Sequence, residues 1–310
     1  MNIPARAVRW GRSEYETSED IDLESRGLSM MGVEYTCVSD KKPSLEGVQI
    51  LIITSKVIVD QELLLTAPEL RLVITTTSGF DHIDLVAAKR HGVAVCRSPL
   101  ARRDAVVEAS VAMALGLFRS HGALHGLSSQ GVWGRGSLPS QNIRLIRGST
   151  VGIVGMGVIG KSARDTWRAL GATVIWSDPA LDDGVSIDKL LKSSDIVTLH
   201  CSLTASSRRL IDNSSLALMR RGAILINTAR GACVDLEALA HADHLGGVGL
   251  DVFPTEPPHQ LAELSMIKNS VITPHSAGFH TGLGASVAAE VVETVRCWIS
   301  NIPLPNPVLI

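Results

Sequence analysis

Short apolar segments rich in β-branched residues alternate along the chain with longer segments whose apolar residues recur at helical spacing. Short runs of this kind are typical of buried strands, and the periodic segments are typical of helices. Strands that alternate with helices predict parallel sheets built from βαβ units, so we expect an α/β fold with doubly wound sheets. The predicted strands are VQILIIT, LRLVITT, VAVCRS, STVGIVG, TVIWSD, DIVTLH, AILINTA, GGVGLDV and SVITPH.

These strands form two groups, an early group and a second group that begins at Thr150. Between them lie an apolar helical segment, AVVEASVAMALGLFRS, and a Gly/Ser-rich segment, LSSQGVWGRGSLPSQN, which is predicted to be a loop. Such a gap between two groups of strands indicates two lobes. The predicted lobes are residues 1–98, completed by the C-terminal residues 282–310, and residues 99–281.

The apolar helix between the two groups of strands has few polar positions. From Val106 to Phe118, apolar and small residues occupy nearly every side of a helix. Helices of this kind are rarely left in water. We therefore expect it to be buried, either between the lobes or against a second copy of the chain, and we predict a homodimer.

Composition narrows the range of partners. The formal net charge is −2 at pH 7 and the sequence pI is about 6.6, which indicates no bulk attraction to nucleic acid or to an anionic membrane. No apolar run is long enough to span a bilayer, and the N-terminal sequence becomes charged too early for a secretory signal. The five cysteines are scattered, as is usual for reduced thiols. We therefore expect a cytoplasmic protein that binds a small molecule.

A glycine-rich turn in the second group of strands carries the first chemical motif. Gly155, Gly157 and Gly160 form G-x-G-x-x-G directly after a predicted strand and before a helical segment. The first glycine permits a tight turn, the second lets the backbone approach a pyrophosphate, and the third allows close packing of the helix on the strand. The phosphates would rest on the helix N-terminus. The motif predicts a dinucleotide site that also includes Met156, Val158 and Ile159.

The next predicted strand suggests which dinucleotide is bound. It ends at Asp178, which lies 23 residues after Gly155, close to the ~20 residues expected for the carboxylate that binds a ribose 2′-hydroxyl. A carboxylate there repels a 2′-phosphate, so we predict NAD rather than NADP. The alternative is an Asp that only caps the turn before Pro179.

Three later strand ends carry residues suited to catalysis. Arg230 follows AILINTA, Glu256 lies in GLDVFPTEP, and His275 lies in TPHSAG. An arginine can bind a carboxylate through two hydrogen bonds and polarise an adjacent ketone, which is what a 2-keto acid presents. A histidine beside a carboxylate can donate and accept a proton near neutral pH. The sequence lacks a cluster of residues at metal-ligand spacing, so we predict no metal.

The ordered set VGIVGMGVIG, Asp178, NTARG, GLDVFPTEP and TPHSAG resembles the D-isomer-specific 2-hydroxyacid dehydrogenase family over nearly the whole chain. The resemblance implies a Rossmann NAD-binding domain and a smaller flavodoxin-like substrate domain. It also implies the reversible reduction of a small anionic 2-keto acid to a D-2-hydroxy acid. Arg230 would then bind the substrate carboxylate and carbonyl, His275 would be the acid/base, and Glu256 would be its partner.

The same resemblance assigns further binding residues. Asp251 matches the family aspartate that contacts the nicotinamide amide, and TTTSGFDHIDL matches the loop whose backbone N–H groups hold the substrate carboxylate, here at Ser78 and Gly79. Lys56 falls on the substrate-lobe side of the cleft, where it could bind a phosphate or a distal carboxylate. The residues that fall where the family lines the nicotinamide pocket are His200, Cys201, Ser202, Leu203, Thr228 and Ala229.

Some positions depart from the family pattern. Ser202 stands where the family usually has proline, and Arg102 and Arg103 stand where it usually has small polar residues. The two arginines belong either to a solvated basic loop or to a contact with an anion, and Arg103 is the one we assign to the cofactor site.

Two other functions remain open at this stage. The resemblance also covers transcriptional corepressors that bind NAD(H) without turnover, and dehydrogenases that take hydride from formate or phosphite. A corepressor would need a chromatin partner, which no basic or low-complexity segment of the chain indicates. The substrate itself stays undetermined among glyoxylate, hydroxypyruvate, pyruvate, phosphorylated hydroxy acids and bulkier keto acids.

Overall fold

A computed structural model describes residues 5–39, 41–258, 267 and 269–308. The chain divides into two compact units, a first unit of residues 1–102 with 280–310 and a second unit of residues 103–279. Each unit is built on a parallel sheet with helices packed on both faces, so the predicted α/β fold with doubly wound sheets is confirmed.

Within the described residues, the strands and helices are ordered so that most strands are followed by a helix in the chain. They are β1 (Arg6–Trp10), α1 (Ser18–Ser29), β2 (Glu34–Val38), β3 (Ile50–Ile53), α2 (Gln61–Leu65), β4 (Leu72–Thr75), α3 (Leu85–Arg90), β5 (Ala94–Arg97), α4 (Leu100–Phe118), α5 (His121–Ser129), β6 (Thr150–Val154), α6 (Val158–Ala169), β7 (Thr173–Ser177), α7 (Ile187–Ser193), β8 (Ile196–Leu199), α8 (Asn213–Leu218), β9 (Ile224–Asn227), α9 (Leu236–Ala240), β10 (Gly247–Leu250), β11 (Ser270–Ile272) and α10 (Leu283–Ile299). Two short 3₁₀ helices lie at Gly134–Ser140 and Gly231–Cys233.

The sheet of the first unit has the strand order β2-β1-β3-β4-β5 among the described residues, and all of its pairs are parallel. This is the flavodoxin-like order, with the change of direction between β1 and β3. Residues of α2 and α3 pack on one face, and residues of α1 and α10 pack on the other. Because both faces are covered, β3 and β4 are buried at every position, which explains their unbroken apolar sequences.

The interior strand β1 and the edge strand β2 are both missing from the sequence-based prediction, and β1 is the more informative of the two. Its sequence, RAVRW, contains Arg9, a residue that apolar patterning does not place in a sheet core. In the structure Arg9 is only 1% exposed and forms ion pairs with Glu16 and Glu24, which are also buried. The strand is therefore buried because its charge is neutralised by carboxylates from the loop after β1 and from α1.

The sheet of the second unit has the strand order β11-β10-β9-β8-β6-β7, again with all pairs parallel. The chain runs outward from β6 to β7 and then returns across β6 to β8. Ligands of open α/β sheets bind at such a change of direction, beyond the carboxyl ends of the strands. This places the loops after β6 and β8 where a nucleotide site is expected.

The segment between the two sheets differs from its prediction. Helix α4 begins at Leu100, so Arg102 and Arg103 lie in its first turn and not in a loop. Part of the predicted Gly/Ser-rich loop forms the end of α5 and a 3₁₀ helix. The apolar residues of α4 from Val107 to Phe118 pack mainly into the core of their own unit. Among the described residues, no helix has the length and apolar character needed to cross a membrane.

Candidate active site

The predicted glycine-rich turn joins β6 to α6, and each flanking glycine is required by a close backbone approach. Gly155 has φ +92°, and a Cβ there would lie 2.6 Å from the Cα of Cys201. A Cβ on Gly160 would lie 2.0 Å from the carbonyl oxygen of Gly155. Gly157 is the N-cap residue of α6 in an extended conformation. The N–H groups at the start of this 12-residue helix are therefore approachable by an anion.

Asp178 follows β7 directly and lies against the same turn. Its Oδ2 accepts a hydrogen bond of 2.7 Å from the N–H of Met156, and its Oδ1 accepts one of 2.9 Å from Ala180. A carboxylate offers about four lone pairs, so accepting capacity remains for ribose hydroxyl groups. The side chain is half-buried at the edge of the sheet.

The residues predicted for the nicotinamide pocket lie after β8 and β9. Thr228 is buried, and its Oγ1 has no hydrogen-bond partner among the described residues. The neighbouring Ala229 N–H donates to Oδ1 of Asn227 at 3.0 Å, which fixes the backbone just beyond the strand. Cys201 is half-buried, with its Sγ 4.0 Å from that of Cys233, and Ser202 follows it in the loop after β8.

These residues fit a dinucleotide. The glycine turn is held close to the backbone of the loop after β8, and the start of α6 supplies N–H donors that suit a pyrophosphate. Asp178 is placed for a ribose, and the buried Thr228 hydroxyl lacks a partner that a bound group would supply. All of them belong to the second unit.

His275 and Glu256 form a hydrogen-bonded pair within that same unit. The Nδ1 of His275 lies 2.6 Å from Oε2 of Glu256, and Oε1 of Glu256 accepts a hydrogen bond of 2.9 Å from the N–H of Phe253. The histidine side chain is 52% exposed and the glutamate 35%, so the pair is open to a ligand. Because Nδ1 faces the carboxylate, Nε2 is the nitrogen available for proton transfer.

Asp251 holds the turn that carries His275. Its buried carboxylate accepts hydrogen bonds from the Thr273 hydroxyl at 2.6 Å, from Ser276 N–H at 2.8 Å and from Ala277 N–H at 3.0 Å. His275 N–H also donates to the carbonyl of Asp251 at 2.7 Å. His275 adopts φ +53°, a left-handed conformation that is uncommon outside glycine and needs such support. The sequence predicted a nicotinamide contact for Asp251 and gave no signal of this supporting role.

Arg230 lies shortly after the end of β9. Its Nη1 donates to the carbonyl of Ala229 at 2.8 Å, and its own carbonyl accepts from Nδ2 of Asn227 at 2.9 Å. The next residue, Gly231, passes so close to Phe253 that a Cβ would lie 1.9 Å from its carbonyl carbon. This approach sets the arginine's segment against the segment that leads to Glu256. All three predicted catalytic residues thus come from neighbouring strand ends of one sheet.

The remaining predicted site residues lie at several places. In the first unit, Gly79 is buried and Ser78 is half-buried, and the Oγ of Ser78 has no partner among the described residues. Lys56 is 71% exposed and pairs with Glu14 at 3.1 Å. In the second unit, Arg103 pairs with Asp104 at 2.7 Å on the surface of α4.

His200, in the loop after β8, is one of the residues that the family resemblance places at the nicotinamide pocket, and it is half-buried. Its Nε2 lies 3.1 Å from the Thr198 hydroxyl, and its Nδ1 has no partner among the described residues. Burial lowers the pKa of His200 to about 4. The ring is therefore neutral near pH 7, and it lies next to the loop that approaches Gly155.

The chain matches known proteins over most of its length. The family model described as "D-isomer specific 2-hydroxyacid dehydrogenase, NAD binding domain" matches residues 111–277. The hydroxypyruvate reductase of Thermotoga maritima is 32% identical over 301 residues, which cover 92% of this chain and 97% of that protein. The D-3-phosphoglycerate dehydrogenase of Mycobacterium tuberculosis is 34% identical over 83% of this chain, and the match covers 50% of its own length.

A solved structure supports the same assignment. The crystal structure of D-lactate dehydrogenase from Aquifex aeolicus, complexed with NAD and lactic acid, superposes with a TM-score of 0.79. It is 27% identical, and the match covers 95% of this chain and 96% of that one. The predicted cofactor, NAD, is confirmed by the NAD-binding family match and by this neighbour. The chain belongs to the D-isomer specific 2-hydroxyacid dehydrogenase family and is an NAD-dependent oxidoreductase.

Proposed function

We propose that this enzyme reversibly reduces a small 2-keto acid to the D-2-hydroxy acid, with His275 as the acid/base. The observation that carries the proposal is the 2.6 Å contact between Nδ1 of His275 and Oε2 of Glu256, on the unit that holds the dinucleotide turn. A pair of this kind can take up and release one proton per turnover. The names of the T. maritima reductase and of the A. aeolicus lactate dehydrogenase support a small 2-hydroxy or 2-keto acid as substrate.

The roles follow from the chemistry of each group. Bound NADH supplies the hydride that reduces the carbonyl carbon. Nε2 of His275 donates the proton to the developing alkoxide, and Glu256 stabilises the imidazolium and keeps the ring in one orientation. Arg230 binds the carboxylate and polarises the carbonyl, which lowers the cost of charge that develops on oxygen.

The first unit supplies further donors in this proposal. We assign the N–H groups of Ser78 and Gly79 to the substrate carboxylate, as the family resemblance implies, and we assign the substrate and dinucleotide roles to the first and second units respectively. Lys56, which is exposed and pairs with the exposed Glu14, is assigned to a distal anionic group of the substrate.

The experiment that tests this function is NADH oxidation measured with purified protein across a panel of 2-keto acids. The panel contains glyoxylate, hydroxypyruvate, pyruvate, oxaloacetate and a bulkier branched keto acid, together with phosphohydroxypyruvate, because one relative is named for a phosphorylated substrate. We expect saturable turnover with at least one of them and the D-isomer as product. Tight NADH binding without turnover on any 2-keto acid would instead indicate an NAD(H)-sensing protein. Hydride transfer from formate or phosphite to NAD⁺ would indicate the other alternative.

We also propose that the enzyme is a cytoplasmic homodimer. Helix α4 gives less support to the dimer than its sequence indicated, because most of its apolar residues are buried in their own unit. Exposed apolar side chains after α5 give separate support, with Trp133 84% exposed and Val132 48% exposed. The odd number of scattered cysteines supports a reducing compartment.

A further inference from the structure

The loop after β4 directs its carbonyl groups toward one side. This loop, residues 76–80, is the one assigned to the substrate carboxylate, and the segment that runs from β5 into α4 lies against it within the first unit. Three successive carbonyls accept hydrogen bonds from that segment: Thr76 from Arg102 Nη1 at 2.6 Å, Thr77 from Ser98 N–H at 3.0 Å, and Ser78 from Arg97 Nη1 at 3.3 Å.

The carbonyl bonds determine where the amide groups point. In a trans peptide the N–H and the C=O point in opposite directions. With the carbonyls of Thr77 and Ser78 held by the β5–α4 segment, the N–H groups of Ser78 and Gly79 point away from it. Neither N–H has a hydrogen-bond partner among the described residues. Successive free N–H groups on one side of a loop form a concave anion site.

Arg97 contacts the peptide group between Ser78 and Gly79. Its guanidinium donates to the carbonyl of the Ser78–Gly79 peptide, whose N–H belongs to Gly79. Donation to a peptide carbonyl by a charged group polarises that peptide and strengthens its N–H as a donor. The guanidinium also lies 5.8 Å from the centre of the Phe80 ring, so it is fixed on both sides of Gly79.

The two guanidinium groups behind the loop contact carbonyl oxygens and aromatic rings. In the part of the chain that the structure describes, no carboxylate forms an ion pair with Arg97 or Arg102, and the Nε of Arg97 is buried without a partner. The buried carboxylate of Glu290 accepts hydrogen bonds from the N–H groups of Leu100 and Ala101 and from Asn306. Burial lowers the pKa of both arginines.

Arg102 is fixed from its other side. Its guanidinium lies 5.3 Å from the centre of the Tyr15 ring and contacts the Tyr15 hydroxyl. The next residue, Glu16, is ion-paired with the buried Arg9 of β1. The bond from Arg102 to Thr76 is therefore connected through Tyr15 and Glu16 to the interior strand β1, and the loop is supported at its start as well as at Ser78.

We propose that Arg97 and Arg102 are positioning residues for substrate binding, which hold the 76–78 carbonyls so that the Ser78 and Gly79 N–H groups bind the substrate carboxylate. They act through the loop and through their charge, and they do not contact the substrate. The proposal rests on the proposed function, because it needs a carboxylate ligand. The competing explanation is that Arg97 and Arg102 bind a second anionic group of the substrate directly. The test must distinguish this role from positioning.

The test uses Arg97→Met, which removes the charge, and Arg97→Lys, which keeps it, with Arg90→Met as a matched control on the exposed end of α3. Binding of oxamate, an analogue that carries a carboxylate beside a carbonyl, is measured by calorimetry on protein saturated with NADH. Turnover is measured with glyoxylate and with oxaloacetate, and Tm reports folding. Arg102→Met is measured in the same way.

We expect Arg97→Met to weaken oxamate binding and to raise KM about tenfold for both keto acids, with kcat and NADH affinity within about twofold of wild type. Arg97→Lys should recover most of the loss, and Arg90→Met should show none. Unchanged oxamate affinity in both Met variants at unchanged Tm, or a loss confined to the doubly charged oxaloacetate, would overturn the proposal. A wild-type protein that binds oxamate but reduces no 2-keto acid would refute the proposed function, and the calorimetry alone would then decide this inference.

Discussion

His275 and Asp251 are joined twice: the N–H of His275 donates to the carbonyl of Asp251 at 2.7 Å, and the carboxylate of Asp251 holds the turn on both sides of the histidine. This arrangement keeps His275 at φ +53°. The ring is therefore presented to Glu256 by a backbone that few other residues adopt without strain. Substitutions at this position must be chosen with the backbone in mind.

The first prediction concerns proton transfer by His275. Asparagine tolerates the left-handed region better than most residues, so His275→Asn removes the imidazole with little change in the turn. General acid catalysis commonly contributes 10²–10⁴-fold, and we expect kcat to fall by about that factor. NADH affinity, measured by fluorescence titration, should be unchanged. His125→Asn on the exposed side of α5 is the control. If His275→Asn kept more than about a tenth of the turnover, another proton donor would have to be sought.

The second prediction concerns Arg230. Arg230→Lys keeps the charge but loses the planar pair of donors that matches a carboxylate. A hydrogen bond to a charged group contributes about 1.5–3 kcal/mol, so kcat/KM should fall roughly 10- to 150-fold, with a rise in KM that His275→Asn does not show. The exposed Arg208→Lys should behave as wild type. A KM within twofold of wild type in Arg230→Lys would contradict the assignment of Arg230 to the substrate carboxylate.

The third prediction concerns cofactor choice. Asp178 should make NADH preferred over NADPH by at least about tenfold, or about 1.4 kcal/mol, because its carboxylate repels a 2′-phosphate. Asp178→Asn should reduce that preference, whereas Asp182→Asn, at an exposed position in the following loop, should not. The measurement is kcat/KM for each cofactor at a saturating keto acid. Equal use of both cofactors by the wild type would contradict the assignment.

The fourth prediction concerns acid stability. The pKa of His200 is lowered from 6.5 to about 4 in the folded protein, so the unfolded state binds the proton first as the pH falls. The free energy of unfolding should therefore decrease from about pH 6.5 downward, by about 3 kcal/mol between pH 7 and pH 4 from this group. Urea unfolding of His200→Gln should lack that part of the decrease, and the exposed His121→Gln should keep it. Parallel pH profiles for His200→Gln and wild type would contradict the assignment.

The fifth prediction concerns assembly. Light scattering at about 10 µM protein should give twice the 33.0 kDa of the chain. Trp133 is 84% exposed, and Trp133→Ser should shift the protein toward the monomer. A wild-type protein that remains a monomer at this concentration would contradict the homodimer.

Sequence patterns located the fold well where a residue's environment follows from its own chemistry. The strands β3, β4, β8 and β9 are buried at every position, and their unbroken apolar sequences indicated it. Strand β1 was not predicted because its burial depends on Glu16 and Glu24. These carboxylates belong to other segments and neutralise the charge of Arg9. A pattern along one segment carries no information about a charge supplied by another.

The candidate site shows the same limit. Arg230, Glu256 and His275 were found because strand-end residues of one sheet meet at one edge. The support that Asp251 gives to His275, and the hold of Arg97 on Ser78, depend on hydrogen bonds between segments that the sequence does not pair. The approach of Gly231 to Phe253 is likewise visible only in the structure, although a glycine directly after a predicted catalytic arginine was a usable signal.

The two ends of the chain complete one core, and this sets an order of events during synthesis. Leu283, Val287, Val291 and Val295 of α10 cover one face of the first sheet, opposite residues such as Ile50 and Ile74. Since domains fold as units while the chain emerges from the ribosome, the second unit is complete before α10 appears. One apolar face of the first unit therefore stays uncovered while the second unit is synthesised. The nascent first unit thus exposes apolar surface that the folded chain buries.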